Sequence, residues 1–229
     1  MRVIVMGGTS GIGLATAELL AAGGAEVIVT GRDPEKLAAV KDRVTSAEQV
    51  DGTDEEQVAA FLERTGPVDH LVLAFSGGAG ALGPLRGLSA DAVREAFTGK
   101  VIGYLTALRY AQVTGSVTLV SAASARAALP GTAVLAAANG AVERMVGPLA
   151  VELAPVRVNA VSPGVVDTPW WSFLPPEQRE QQFEAIAGQL PTGRIAAATD
   201  VAAAIAYLVG ATQVTGTVLP VDGGATAAS

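Results

Sequence analysis

The chain has 229 residues, half of them hydrophobic, with 15 Lys and Arg against 22 Asp and Glu, a formal net charge of −7 at pH 7, and no cysteine. That charge excludes nucleic acid as the main partner, so an anionic ligand has to be held by local donors. Without cysteine there is no disulfide framework, as suits a reducing cytoplasm; no secretory leader precedes Arg2, and the apolar runs are too interrupted to span a membrane.

In chain order, Val3, Ile4 and Val5 form a β-branched run suited to a strand buried on both faces. Gly7, Gly8, Gly11 and Gly13 follow, and residues 14–20 read as a helix. Glycine allows a sharp turn and close approach to a pyrophosphate, while free N–H groups and the dipole at a helix start attract the anion. The spacing Gly7-x-x-x-Gly11-x-Gly13 between strand and helix marks a dinucleotide-binding corner, with Thr9, Ser10 and Ile12 inside it. A second strand over 25–30 leads through Gly31-Arg32 to a helix over 34–43, with Asp33 as N-cap and Pro34 at its first position. A short strand over 49–51 and a helix to about 64 come next. A strand over 69–74 then ends in the turn Ser76-Gly77-Gly78-Ala79-Gly80. The pattern continues with a helix over 89–110, a strand over 116–120, a helix over 132–153 and a strand over 156–161. A Pro-rich loop bearing Trp170 and Trp171 leads to a segment over 176–189, a helix capped by Asp200 to about 209, and a last strand over 216–221.

Strands alternating with helices predict an α/β fold, one doubly wound parallel sheet of about seven strands with helices on both faces, spanning 1–229 as a single domain. In such a sheet ligands bind beyond the carboxyl ends of the strands. Those ends carry the glycine corner, Arg32, Asp51, Gly52, Ala74, Ser121 and Ser162-Pro163-Gly164. Arg32 stands where an acidic residue would hold a ribose 2′-hydroxyl; an arginine there favours a 2′-phosphate, hence NADP(H) over NAD(H). Asp51 is either an acceptor for the adenine amino group or a strand-end turn residue.

With Gly7-Gly8-Thr9-Ser10-Gly11-Ile12-Gly13, Gly31-Arg32, Asp51, the run Asn159-Ala160-Val161-Ser162-Pro163-Gly164-Val165-Val166-Asp167-Thr168-Pro169, and Val221-Asp222-Gly223-Gly224, the sequence resembles the short-chain dehydrogenase/reductase family over essentially its whole length. The resemblance implies a Rossmann-type domain and a nicotinamide pocket built by Pro163, Gly164, Val166 and Thr168. It also implies a substrate lid at about 169–190, a small-molecule substrate, and a homodimer or homotetramer.

The family's Asn-Ser-Tyr-Lys tetrad is not matched. Alignment places Lys100 at the asparagine position, Ala122 at the serine (with Ser121 one residue off), Leu135 at the tyrosine and Asn139 at the lysine. Leucine has no proton to give, and lysine and asparagine have exchanged positions. Lys100, Ser121 and Asn139 are therefore the candidate catalytic residues. Lys100 would bind ribose hydroxyls, polarise a substrate oxygen or donate a proton, or else it is a surface lysine. Ser121 and Ser124 would hydrogen-bond substrate. Tyr104, one turn after Lys100, is a stand-in acid or a core residue, and Ser76 is a cleft-floor or turn residue. His70 reads as structural, Trp170 and Trp171 as an apolar substrate wall or lid packing, and no metal site is expected. The expected function is an NADP(H)-dependent oxidoreductase acting on a small, largely apolar carbonyl or enone-like substrate. The alternatives are a non-redox cyclase, dehydratase or isomerase, and an NADP-sensing regulatory protein.

Overall fold

The structure, a computed structural model, describes residues 1–227. Seven strands form one parallel sheet: β1 (Arg2–Met6), β2 (Glu26–Gly31), β3 (Ser46–Gln49), β4 (Val68–Leu73), β5 (Val113–Val120), β6 (Arg157–Pro163) and β9 (Val218–Val221), in the order β3-β2-β1-β4-β5-β6-β9. The order reverses between β1 and β4, which opens a crevice beyond their carboxyl ends. A separate two-stranded pair joins β7 (Val166–Asp167) to β8 (Ala196–Ala197).

Alternation along the strands sends side chains to two faces. Ile4, Met6, Leu71, Leu73, Val117 and Leu119 pack on one side with Phe61 and Leu62 of α3 (Glu55–Thr65), Tyr104 of α5 (Gly103–Tyr110) and Val142 of α6 (Ala133–Glu152). Val3, Val5, Val27, Val29 and Val72 pack on the other with Ala17 and Leu20 of α1 (Gly11–Ala22) and Val201, Ile205 and Leu208 of α8 (Ala198–Gly210). Both faces are covered, as the β-branched strand runs require.

The structure moves several boundaries. The helix expected over 34–43 is α2 (Pro34–Val40), with Asp33 as its cap, and the third strand lies at 46–49 rather than 49–51. The single helix expected over 89–110 is α4 (Ala90–Phe97) and α5 joined by a π-helical turn, Thr98–Ile102. Asp200 does not cap α8 from outside. It sits inside the first turn, accepts from the Ala197 N–H at 2.8 Å and forms a forked ion pair with Arg194 at 2.7 and 3.0 Å. The segment after Trp171 forms α7 (Pro176–Ala187), none of whose residues is buried.

Candidate active site

The corner after β1 is built by backbone proximity. The N–H groups of Gly7 and Gly8 both donate to the Thr30 carbonyl, at 3.0 and 3.1 Å, tying the turn to β2. A Cβ on Gly13 would stand 2.2 Å from the Gly7 carbonyl oxygen, so only glycine fits. Gly7 itself has φ +83 and lies against the backbone of Ala74 and Phe75, where β4 ends. Ser10 precedes α1 in an extended conformation and makes no side-chain cap bond, and no acidic residue occupies the first turn. The helix start therefore offers unpaired donors and positive potential to an anion. The Thr9 methyl packs against Gly31, and Ile12 packs at the edge of the α1 core.

Arg32 follows β2 and is exposed; its carbonyl accepts from Gln49 Nε2 at 3.2 Å, and its side chain has no partner among the described residues. Asp51 Oδ1 accepts from the Thr53 N–H and hydroxyl at 2.9 and 2.8 Å, so one carboxylate oxygen holds a local turn. Gly52 lies under the Phe75 ring, and Ala74 extends β4 by donating to the Met6 carbonyl at 2.9 Å.

The far wall comes from the end of β6. Pro163 is buried, Gly164 donates to Val221 at 3.1 Å, and a side chain on Gly164 would strike Asp222. Val166 is 5% exposed in the β7–β8 pair. Thr168 lies beside the glycine corner: a Cβ built on Gly11 would be 3.3 Å from the Thr168 Cβ. Residues 157 positions apart in sequence thus meet at the carboxyl end of the sheet. Past Thr168, the Trp171 ring meets Phe173 and, edge-on at 5.7 Å, Phe183 of α7, while Trp170 sits edge-on to Trp171 at 4.8 Å. These rings pack on one another as a small aromatic unit.

Lys100 occupies the π turn, a distortion that recurs at functional sites. The turn is pinned to the loop after β4: a Cβ on Gly99 would be 2.5 Å from the Gly77 nitrogen. The Lys100 ammonium lies 5.6 Å from the Tyr104 ring centroid and has no hydrogen bond or ion pair among the described residues. Desolvation lowers its pKa to about 8. Tyr104 is fully buried, with its hydroxyl 3.1 Å from the carbonyls of both Phe75 and Val120, and burial raises its pKa. Of its two readings, that geometry fits the core residue and not the stand-in acid.

Asn139 is 6% exposed on α6; its Nδ2 donates to the Leu135 carbonyl at 2.9 Å and to Ser124 Oγ at 3.3 Å, while Oδ1 is buried with no donor. Leu135 packs against the apolar cluster of Ala81, Ala96 and Val134. Ser121 is 3% exposed and its hydroxyl donates to Glu143 Oε1 at 2.9 Å, so its proton is committed to the interior rather than to a substrate. Ser162 donates to the same oxygen at 2.6 Å, and Arg126 Nε stands 3.4 Å from Oε2. Sequence reading did not single out Glu143 or Arg126; the spacing of Glu143 from Asn139, one helical turn, was the available signal. His70 Nδ1 is 2.8 Å from Ser116 Oγ within the sheet, a structural pair.

A family model described as Enoyl-(Acyl carrier protein) reductase matches residues 7–226. The cis-4-hydroxycyclohexanecarboxylate dehydrogenase of Sinomonas cyclohexanicum is 37% identical, over 98% of this chain and 96% of its own. A short-chain dehydrogenase/reductase of Stachybotrys chlorohalonatus is 31% identical, over 97% of this chain and 96% of its own. A solved small-chain dehydrogenase in complex with NADPH superposes with TM-score 0.86 at 31% identity, over 99% of both chains.

Proposed function

The chain belongs to the short-chain dehydrogenase/reductase family, and we propose that it is an NADP(H)-dependent oxidoreductase acting on a small, largely apolar carbonyl or enone-like compound, with Lys100 in place of a tyrosine as the proton donor. The observation that carries the reading is the glycine corner, with its uncapped helix start, packed beside Thr168 at the carboxyl end of the sheet. The residues fit such a cofactor. Gly13 lets α1 pack directly on the Gly7 carbonyl, the start of α1 is uncapped, and the Arg32 guanidinium has no protein partner among the described residues. Asn139 Oδ1, buried without a donor, fits a ribose hydroxyl, because a buried orphan acceptor costs about 1–3 kcal/mol until it is paired. Thr168, Pro163, Gly164 and Val166 would form the nicotinamide side, and Gly7, Thr9, Ser10, Gly11, Ile12, Gly52 and Ala74 the floor. NADPH bound to the small-chain dehydrogenase, together with Arg32, supports NADP(H) over NAD(H).

When bound, the cofactor supplies the hydride, and the protein supplies orientation and a proton. In this chain Leu135 and Ala122 offer no proton, and those of Ser121 and Tyr104 are held in the interior. Lys100 remains. Its ammonium, unpaired and with a pKa near 8, is charged at neutral pH yet gives up a proton far more readily than a solvated lysine. The π turn, pinned by Gly99 against Gly77, fixes the backbone that carries it. The relative that acts on cis-4-hydroxycyclohexanecarboxylate supports an alicyclic substrate, with Trp170 and Trp171 as apolar wall in the lid at 169–190. The exposed Ile102, Leu105 and Val151 on the outer helices support a homodimer or homotetramer, and the lack of cysteine supports a cytoplasmic setting.

Titration with NADPH and NADH, followed by nicotinamide fluorescence and by thermal shift, tests the cofactor. NADPH is expected to bind more than about tenfold tighter, the equivalent of one charge-assisted contact. No response to either nucleotide would overturn the reading.

A further inference from the structure

Beneath the substrate side of the cleft lies a carboxylate that the proposed chemistry does not use. Glu143 is one turn beyond Asn139 on α6, its side chain 13% exposed. Its Oε1 accepts from Ser121 and Ser162, at the carboxyl ends of β5 and β6, and Oε2 faces Arg126 Nε at 3.4 Å. Arg126 lies in the turn that leaves β5, and its charge also acts on Asp222, just past β9. Through Glu143 the guanidinium is tied to the carboxyl ends of β5 and β6, where a sheet of this kind places its ligand.

The two carboxylates near Arg126 are largely engaged elsewhere. Asp222 Oδ1 accepts from the Gly224 N–H at 3.0 Å, and Oδ2 accepts from the Thr226 N–H and hydroxyl at 3.1 and 2.6 Å. Glu143 Oε1 is taken by the two serines, leaving Oε2 to hold Nε alone. The terminal nitrogens of Arg126 make no hydrogen bond to protein among the described residues, and the side chain is 36% exposed. The segment immediately after it is apolar: Ala127, Ala128, Leu129 and Pro130 line a depression of about 430 Å³ that reaches Ala136 on α6.

A guanidinium ion-paired at Nε with both terminal nitrogens open presents the planar pair of donors that matches a carboxylate, beside an apolar surface sized for a small ring. We propose that Arg126 is the specificity residue of this enzyme: it recognises a carboxylate borne by a small alicyclic carbonyl or alcohol substrate, with Glu143 as the positioning residue that holds the guanidinium. The assignment rests on the oxidoreductase reading for what happens to the substrate, but the recognition can be measured separately. It also provides, in a chain of net charge −7, the local cation that an anionic substrate needs.

The test compares 4-oxocyclohexanecarboxylate with its methyl ester, which differ in charge, using the full chain with NADPH. Tryptophan fluorescence reads binding, and nicotinamide absorbance reads turnover. The wild type is expected to favour the carboxylate, and Arg126→Met to lose about 10–100-fold in its affinity and kcat/KM while the ester stays within about threefold. Arg126→Lys, which keeps the charge without the fork, is expected to recover part of the loss. Glu143→Gln is expected to raise KM for the carboxylate with kcat unchanged, whereas a merely structural role would lower both substrates alike. A wild type that binds the carboxylate no better than the ester, or an Arg126→Met variant equally impaired on both, overturns the assignment. Arg126-dependent binding without hydride transfer would uphold it while sinking the oxidoreductase reading. Reduction of both compounds without regard to Arg126 would do the opposite.

Discussion

Replacing Lys100 with methionine should stabilise the protein and disable it. The ammonium has a pKa of about 8 in the fold against 10.5 in water, because burial disfavours its charged form. At 1.36 kcal/mol per tenfold change in proton affinity, that gap is a penalty of about 3 kcal/mol. The attraction to the Tyr104 ring offsets about 0.5–1 kcal/mol of the gain on substitution, leaving about 2 kcal/mol. The sign with pH follows from the depressed value. Below about pH 8 both folded and unfolded chains carry the proton and the penalty is full. Between about 8 and 10.5 the folded chain has released its proton while the unfolded chain keeps it, so wild-type stability climbs. Urea unfolding at pH 7 should therefore show Lys100→Met more stable by about 2 kcal/mol, with a Tm higher by roughly 4–8 °C, and the advantage should shrink steadily above pH 8 and be largely gone above about pH 10.5. Turnover of the same variant should fall by about 10²–10⁴, the usual worth of a general acid. A methionine variant less stable at pH 7, or a difference that ignores pH, would show that the ammonium is solvated and refute the reasoning.

Further expectations follow from the same geometry. Reduction catalysed by the wild type should decline as pH rises through about 8, as Lys100 loses its proton, and the reverse oxidation should gain over the same interval; pH profiles in both directions check this. Arg32→Ala should weaken NADPH about 10–100-fold and leave NADH nearly unchanged, and equal losses by calorimetry would remove the 2′-phosphate role. Gly13→Ala forces a Cβ to within 2.2 Å of the Gly7 carbonyl, so cofactor binding should be lost or the fold weakened, visible by thermal shift with and without NADPH. Tyr104→Phe should cost about 1–3 kcal/mol, from the carbonyls of Phe75 and Val120 left unpaired, with kcat retained; loss of kcat alone would restore Tyr104 as an acid.

The glycine corner was legible in the sequence because its constraint is local. Gly13 abuts Gly7 six residues earlier, and the β-branched run before them can only be an interior strand. Arg32 was legible for a similar reason, as the residue at which β2 hands over to α2. The third strand was misplaced because Ser46-Ala47-Glu48-Gln49 is a polar edge with no hydrophobic alternation to read. The inward commitment of Ser121 depends on Glu143, 22 residues on, and on its partner Ser162, which only the stacking of β5, β6 and α6 brings together. Tyr104 was placed correctly on the Lys100 side of its helix. Whether its hydroxyl faced the cleft was decided by two main-chain carbonyls from other elements. The π turn left no mark in the pattern, since it arises from glycine contacts between Gly99 and the loop at Gly77.

The central claim is that hydride chemistry persists at a site where leucine and asparagine stand at positions 135 and 139. The direct measurement is a single turnover with NADPH deuterated at the transferable position and 4-oxocyclohexanecarboxylate, followed by mass spectrometry of the product. The expected result is deuterium on the carbinol carbon, formed by the wild type and suppressed in Lys100→Met. Tight NADPH binding with no deuterium in any product would contradict the account and leave a protein that holds the cofactor without using it.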